Sequence, residues 1–378
     1  MQTAISCLLM RGGTSKGAFF NAADLPADVA TRDQVLLAVM GSPDKRQIDG
    51  LGGAHPLTSK VAIIRKSSVP GVDLDFLFAQ LQPDKDTVDT SPNCGNMLAA
   101  VVPFALETGL FVAQGDTTTL RVLTLNTDMQ CDITVMTPGG QPSYAGAARI
   151  DGVPGPSAPI TINFLDTAGS VCSGLLPTGR VKNLIQVDRQ GDEPAFDIDV
   201  TCIDNGMPLV MFKAADLGRT GYETVAELNA DTALKARIER LRIACGHAMG
   251  LGDVTAKSYP KMTLVAPPRD LAGGGSITTR SFIPHVCHDA IGVLAAVTVA
   301  TACVLRGSVC DGLAVLPAGD VKRVSVEHPT GEFSVELTLD PVNPQNVTRA
   351  ALLRTARLLM RGQAMVPAAV WAGPAAGR

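Results

Sequence analysis

Residues 290–305, AIGVLAAVTVATACVL, run for 16 positions without a charge and without a polar face. A helix that is apolar on every side must be covered on every side, and this run is shorter than the ~20 residues that span a bilayer. It therefore predicts a helix buried inside a domain. GNMLAAVVPFALETG (95–109) is a second segment of this kind, and both contain LAAV. Apolar or alternating runs bounded by Gly, Pro, Asn and Asp surround the two: AISCLLM, KVAIIRK, VDLDFLFAQL, LRVLTL, CDITVM, ITINFLD, FDIDVTCID, PLVMFKA, KMTLVAPP, SITTRSFI, VKRVSVEH and FSVELTLD. These read as strands. Further helical signals lie in RDQVLLAVMG, closed by Gly41, and in TVAELNADTALKARIERLRIACGHAMG. NCGNMLAAVVPFALETG (93–109) and HDAIGVLAAVTVATACVLRG (288–307) each pass from a polar, kinked entry into an apolar helix. The echo suggests two similar domains, each a curled sheet around one buried helix.

A chain of 378 residues suits two domains of ordinary size. A boundary in LLPTGRVKNLIQ divides the strands evenly, giving domains 1–185 and 186–349, with segment 350–378 completing the first. The Gly/Pro-rich DGVPGPSAP (151–159) reads as a turn within a domain. Formal net charge is -4 and aromatic content 4%, so neither a broad basic surface nor a stacking platform for nucleic acid is expected. No apolar run is long enough for a membrane span, and the N-terminus has no cationic segment leading into a long apolar one, so a cytoplasmic enzyme is the expectation. Nine cysteines without a CxxC pair read as reduced thiols. No HExxH or clustered Cys/His spacing is present, and His285 and His288 alone do not make a metal site. In RGGTSKG and GLGGAHPLTSK a serine stands where a phosphate loop needs the glycine before its lysine. The expectation is no metal and no cofactor, with any anion held in a local pocket.

Three loops could make such a pocket. RGGTSKG offers backbone amides freed by Gly12 and Gly13, the hydroxyls of Thr14 and Ser15, and the cations Arg11 and Lys16. It fits a carboxylate site or, equally, a tight turn with solvated charges. GLGGAHPLTSK ends in Ser59 and Lys60 directly before VAII. Lys60 is either a surface lysine or a base held at a cleft. In SPNCGNM, Cys94 stands between Asn93 and Gly95, followed by Asn96, at the entry to a buried helix. The helix N-terminus favours a thiolate or a bound carboxylate there, and the polar flanks argue against an inert core cysteine.

MRGGTSKG, DGLGGAHPLTSK, NCGNM, IDNGMP and TRSFIPH together resemble the PrpF family of the diaminopimelate epimerase-like fold, and more closely its 4-oxalomesaconate tautomerase branch. The likeness extends to MGSPDKRQIDG, TGYE, LGDV and LLRTARLLM. It implies an α+β fold of two pseudo-symmetric domains, each a curved, mostly antiparallel sheet around a central helix, with the active site in the interdomain cleft at the helix N-termini. It also implies a cofactor-independent isomerase that moves a double bond by a 1,3-allylic proton shift. The substrate would be oxalomesaconate from ring-cleaved protocatechuate or gallate, or in other branches aconitate or methylaconitate. Epimerases of this fold use two opposed cysteines. Cys94 matches the first, whereas the second position falls near Asp289 and Ala290, with Cys287 out of register, which argues against two-thiol stereoinversion. The resemblance instead carries a lysine base onto Lys60, with Cys94 assisting. It carries substrate binding onto Arg11, Gly12, Gly13, Thr14, Ser15, Ser59, Asn93, Gly95, Asn96, Asn205, Arg280, Ser281 and His285. The implied partner is a small tricarboxylate, with no nucleic acid and no membrane, and a homodimer is open to it. A non-catalytic dicarboxylate binder is disfavoured because Lys60 and Cys94 both persist.

Overall fold

A computed structural model describes residues 1–165, 167–191, 193–343 and 346–373. Along the first part of the chain the apolar runs form β1 (Gln2–Gly12), β2 (Ser15–Asn21), β3 (Lys60–Lys66), β4 (Leu74–Leu81), the short β5 (Val88–Asp89), β6 (Thr117–Thr124), β7 (Met129–Met136) and β8 (Ile160–Phe164). Helix α1 (Val29–Met40) links β2 to its parallel neighbour β3, and α2 (Gly95–Leu98) with α3 (Val101–Glu107) lies between β4 and its parallel neighbour β6. α1 starts where the Asp28 carboxylate accepts the Thr31 N–H and stops at Gly41, which takes the left-handed conformation at φ 77°.

The second part repeats the plan with β9 (Asn183–Val187), β10 (Phe196–Asp204), β11 (Pro208–Lys213), β12 (Lys261–Ala266), β13 (Ile277–Phe282), β14 (Val321–His328), β15 (Gly331–Leu339) and β16 (Val347–Arg354). Helices α4 (Val225–Ala230) and α5 (Thr232–Ala248) join the parallel pair β11 and β12, while α6 (Val293–Val304) joins the parallel pair β13 and β14. Strand β17 (Ala356–Pro367) returns to the first part and pairs antiparallel with β1, from Gln2↔Pro367 to Gly12↔Ala356.

The chain thus divides into one unit of Met1–Leu165 with Leu353–Arg378 and another of Asp166–Leu352. Read along neighbouring strands, β17–β1–β2–β3–β4–β6–β7–β8 and β9–β10–β11–β12–β13–β14–β15–β16 follow the same order: antiparallel, antiparallel, parallel, antiparallel, parallel, antiparallel, antiparallel. In each unit one crossover helix packs on the outer face of the sheet and the other on the inner face. The outer layer of the first unit joins α1 residues such as Leu36 and Met40 to Ile5, Phe20, Ile63 and Val366. That of the second joins Leu234, Ile238 and Leu241 of α5 to Phe212, Met262 and Phe282. The inner helices are the apolar segments: Val101–Ala105 and Ala295–Val304 are buried throughout. This is the α+β, epimerase-like architecture expected from the sequence.

The sequence boundary at 185 gives way to one at Leu165. Segment 167–175 belongs with the second unit because the Asp204 carboxylate, at the end of β10, accepts the Val171 and Cys172 N–H groups and the Ser170 hydroxyl. Strands β2, β5, β9, β16 and β17 lie outside the runs read as strands. β17 is exposed over most of its length and lacks the apolar alternation that marks a buried face. Among the described residues no helix is long and apolar enough to cross a membrane.

Candidate active site

The RGGTSKG segment is a hairpin tip: β1 and β2 pair Arg11↔Lys16 and Gly12↔Ser15, and Gly13 turns the chain at φ 52°. Its glycines are demanded by close approach. A Cβ on Gly12 would stand 2.3 Å from the Asn96 carbonyl oxygen, and one on Gly13 would stand 2.2 Å from Asn96 Oδ1. The tip therefore rests on the start of α2, where Asn96 Nδ2 donates to Thr14 Oγ1 at 2.9 Å. One step along β2, a Cβ on Gly17 would reach to 2.1 Å of the Lys60 carbonyl oxygen. This lets β3 lie against β2 with Lys60 opposite Gly17.

Strand alternation assigns the faces. Gly12, Ser15 and Gly17 share the inner face with Phe19, whose ring meets Phe104 of α3 at 6.1 Å, and Lys60 shares it through its register with Gly17. Lys60 is 7% exposed. Its Nζ donates to Gln80 Oε1 at 2.7 Å, lies 4.9 Å from the Phe78 ring centroid and stands 3.8 Å from Cys94 Sγ. Cys94 is the N-cap residue of α2, half-buried, with its backbone N–H taken by Asn93 Oδ1 at 2.8 Å and no side-chain capping bond. Gly95 opens the helix directly after it. Ser15 is buried with no partner for its Oγ.

Two of the expected binders make contacts within the frame. Arg11 has outer-face parity, and its Nη1 donates to the carbonyls of Gly13 (2.8 Å) and Thr355 (3.1 Å), so it clamps the hairpin tip to the residue that precedes β17. Burial, then the neighbouring Arg357, pulls its pKa below the usual arginine value. Ser59 is fully buried and donates to Gln47 Oε1 at 2.7 Å and the His55 carbonyl at 2.9 Å, which ties down the glycine loop. Gln80 was missed by sequence reasoning. Its Nε2 faces the carbonyls of Leu81 (2.9 Å), Pro56 (3.1 Å) and Ser59 (3.3 Å), leaving Oε1 to accept from Lys60. A signal was present: Gln80 follows Phe76 and Phe78 at the core-facing positions of an otherwise apolar strand.

In the second unit the expected binders do not gather. Asn205 is enclosed in the frame, accepting from Thr167 Oγ1 at 2.6 Å and donating to Thr301 Oγ1 of α6 at 2.9 Å. Arg280 and Ser281 are neighbours on β13 and so face opposite sides of the sheet. Arg280 turns to the outer layer, where its Nε donates to the Glu223 carbonyl at 2.7 Å, while the Ser281 hydroxyl meets Thr263 Oγ1 at 3.1 Å. His285 is exposed and sits 3.4 Å from Glu239 of α5. Register turns Arg280 to the outer face and Ser281, paired with Thr263, to the inner face.

The PrpF protein family model matches residues 2–367. The chain belongs to the PrpF family. It is 56% identical to a (4E)-oxalomesaconate Delta-isomerase of Novosphingobium sp. (strain KA1), over 95% of this chain and 97% of that protein. It is 52% identical to a 4-oxalomesaconate tautomerase of Pseudomonas putida over 99% of each. Among solved structures, that of a methylitaconate-delta-isomerase superposes with a TM-score of 0.85 at 34% identity, covering 100% of this chain and 99% of that one. The chain is an isomerase. In this PrpF protein the residue that starts the second inner helix, in the place Cys94 holds for the first, is Gly292. Cys287 lies in the outer core with its thiol pushed up to about 11, chiefly by burial. A second thiol for proton exchange is therefore missing from the start of α6.

Proposed function

We propose that this PrpF protein catalyses a 1,3-allylic proton shift on 4-oxalomesaconate, with Lys60 as base and Cys94 assisting, in the catabolism of ring-cleaved protocatechuate or gallate. The observation that carries this reading is the pairing of a buried amine and a half-buried thiol 3.8 Å apart at the start of the inner helix. The two ends of an allylic system are two bonds apart, so neighbouring groups of this kind can take a proton from one end and return it at the other. The intermediate is a dienolate, which adds charge to a substrate already carrying three carboxylates. Catalysis then depends on donors fixed where that charge develops. The buried Ser15 hydroxyl, the Thr14 hydroxyl and the Asn96 amide are grouped on the same helix start, and they are assigned this role. The relatives named for oxalomesaconate support the choice of substrate. The full-length likeness to a methylitaconate isomerase keeps another unsaturated polycarboxylate, aconitate or methylaconitate, as the second reading.

The test is a substrate panel followed by the near-ultraviolet change on isomerisation. The expected outcome is highest kcat/KM on 4-oxalomesaconate, and a loss of ~10²-fold or more in kcat for Lys60→Met, the scale of a removed general base. A folded Lys60→Met enzyme that keeps more than about a tenth of wild-type kcat would sink the assignment of Lys60.

A further inference from the structure

Gln80 stands between two strands, opposite Lys60 of β3 on one side and Asp89 of β5 on the other. The two ends of its amide are alike in shape and opposite in hydrogen bonding, so the surroundings decide which end meets the amine. Three backbone carbonyls make that choice. Those of Leu81, Pro56 and Ser59 lie 2.9, 3.1 and 3.3 Å from Nε2, and a carbonyl can face only the N–H end. Oε1 is therefore turned to Lys60 Nζ, 2.7 Å away, by the backbone and not by the lysine.

The acceptor built in this way is neutral. A carboxylate in its place would pair with the ammonium and favour the charged form, against the needs of a base that must lose its proton and regain it in each turnover. Among the described residues no other charge takes that place. Asp89 is exposed, and its Oδ1 accepts from the Ser91 N–H at 2.9 Å and the Ser91 hydroxyl at 2.7 Å. Asp75 has outer-face parity on β4 and pairs with Arg65 at 2.8 Å, and Lys16 has outer-face parity on β2. His55 is exposed, with Nδ1 accepting the Leu57 N–H, and Glu107 of α3 is engaged by Tyr144 and Arg361. That leaves Cys94, 3.8 Å away, as the titratable neighbour. An ammonium has three N–H groups and a neutral amine two, so one N–H can stay on Oε1 in both states. The nitrogen is thus held in one place through a proton cycle.

We propose that Gln80 is a positioning residue that acts through Lys60, holding its amine on a fixed, uncharged acceptor so that the same nitrogen can carry or release a proton. The part given to Lys60 as base rests on the isomerase reading above. The experiment uses the full chain carrying Gln80→Glu, which makes the acceptor a carboxylate, and Gln80→Met, which removes it with little change of shape. Lysine labelled with carbon-13 at Cε reports the protonation of Lys60 by NMR, its signal assigned by its loss in Lys60→Met, beside steady-state kinetics on 4-oxalomesaconate. The expected midpoint of Lys60 protonation moves up by about one pH unit in Gln80→Glu and down by about half a pH unit or more in Gln80→Met. In both variants kcat at neutral pH is expected to fall about 10-fold, with KM within about threefold. Opposite signs are what a merely structural role would not produce, and either variant tests its own sign should the other fail to fold. A folded variant whose midpoint stays within about 0.2 pH units of wild type, a shift of one sign in both, or a loss confined to KM overturns the proposal. Opposite shifts in a protein that turns over none of the panel would sink the isomerase reading and leave this inference standing. Turnover with a Lys60 midpoint that neither variant moves would sink the inference and leave the reading.

Discussion

Lys60 Nζ has three contacts: an amide oxygen that only accepts, an aromatic face, and a thiol. Gln80 and Phe78 hold the amine in place, so Cys94 is the neighbour able to exchange protons with it. This ranks the two side chains. Cys94→Ser is expected to lower kcat/KM and yet leave more activity than Lys60→Met, because a hydroxyl keeps the shape of the helix start while the base survives. Both variants should be assayed on one substrate, with circular dichroism confirming the fold. A dead Cys94→Ser beside an active Lys60→Met would move the proton chemistry to the thiol. Of the residues singled out in the sequence, the structure brings Thr14 to Asn96 and Lys60 to Cys94, at loops that end at a helix or strand start. The outward turn of Arg280 was not legible, because a motif shows proximity in sequence whereas the face of a strand depends on parity. Gln80 escaped notice because its importance lies in three carbonyls and one ammonium that meet only in the folded sheet.

Between elements, the contact of β2 with β3 is the tightest near the site. Gly17→Ala would push a methyl to 2.1 Å of the Lys60 carbonyl oxygen and 2.7 Å of Met97 Cε, so strand spacing or the start of the inner helix must give way. The expected cost is about 1–3 kcal/mol of stability. Activity should fall further than stability, since the displaced carbonyl belongs to Lys60, the proposed base. Thermal melts together with kcat/KM at a temperature well below Tm would check this. An unchanged melt and unchanged rate would mean that the glycine is not needed for close approach. The echo of LAAV in the two inner helices was readable, but its consequence was not. In the first unit Pro103 has no N–H for the Ala99 carbonyl and its ring crowds that group, so the segment breaks into α2 and α3 at Ala99 and Ala100. Val299 occupies the matching place in LAAVTV, and α6 runs on unbroken. Likewise β17 could not be read as a strand, because its pairing partner β1 lies at the far end of the chain and its own pattern is largely exposed.

For the molecule as a whole, acid is the informative perturbation. The Asp28 carboxylate is held below the usual aspartate range by the Thr31 N–H, Asp44 by the Ile48 and Arg46 N–H groups, Asp231 by the Leu234 N–H and then Arg219, and Asp340 by the Val342 and Asn343 N–H groups. A depressed folded-state value contributes stability that is fully present above the unfolded pKa of ~3.9 and is lost as pH falls through the folded value. Tm is therefore expected to stay level from pH 7 to about 5 and to fall below about 4. A steady fall between pH 7 and 5, measured by calorimetry, would assign acid sensitivity to other groups. The route of the chain has a different consequence, one of timing. Thr3 Oγ1 donates to the Trp371 carbonyl at 2.6 Å across 368 positions, and β1 takes its outer neighbour from β17. At ~5–20 residues per second of synthesis, roughly 20–70 s separate the appearance of those two strands. Throughout that interval the edge of β1 has no β17 to cover it, while the whole of the second unit emerges from the ribosome. Lys60 is thus among the earlier residues made, and the sheet that carries it is among the last structures to close.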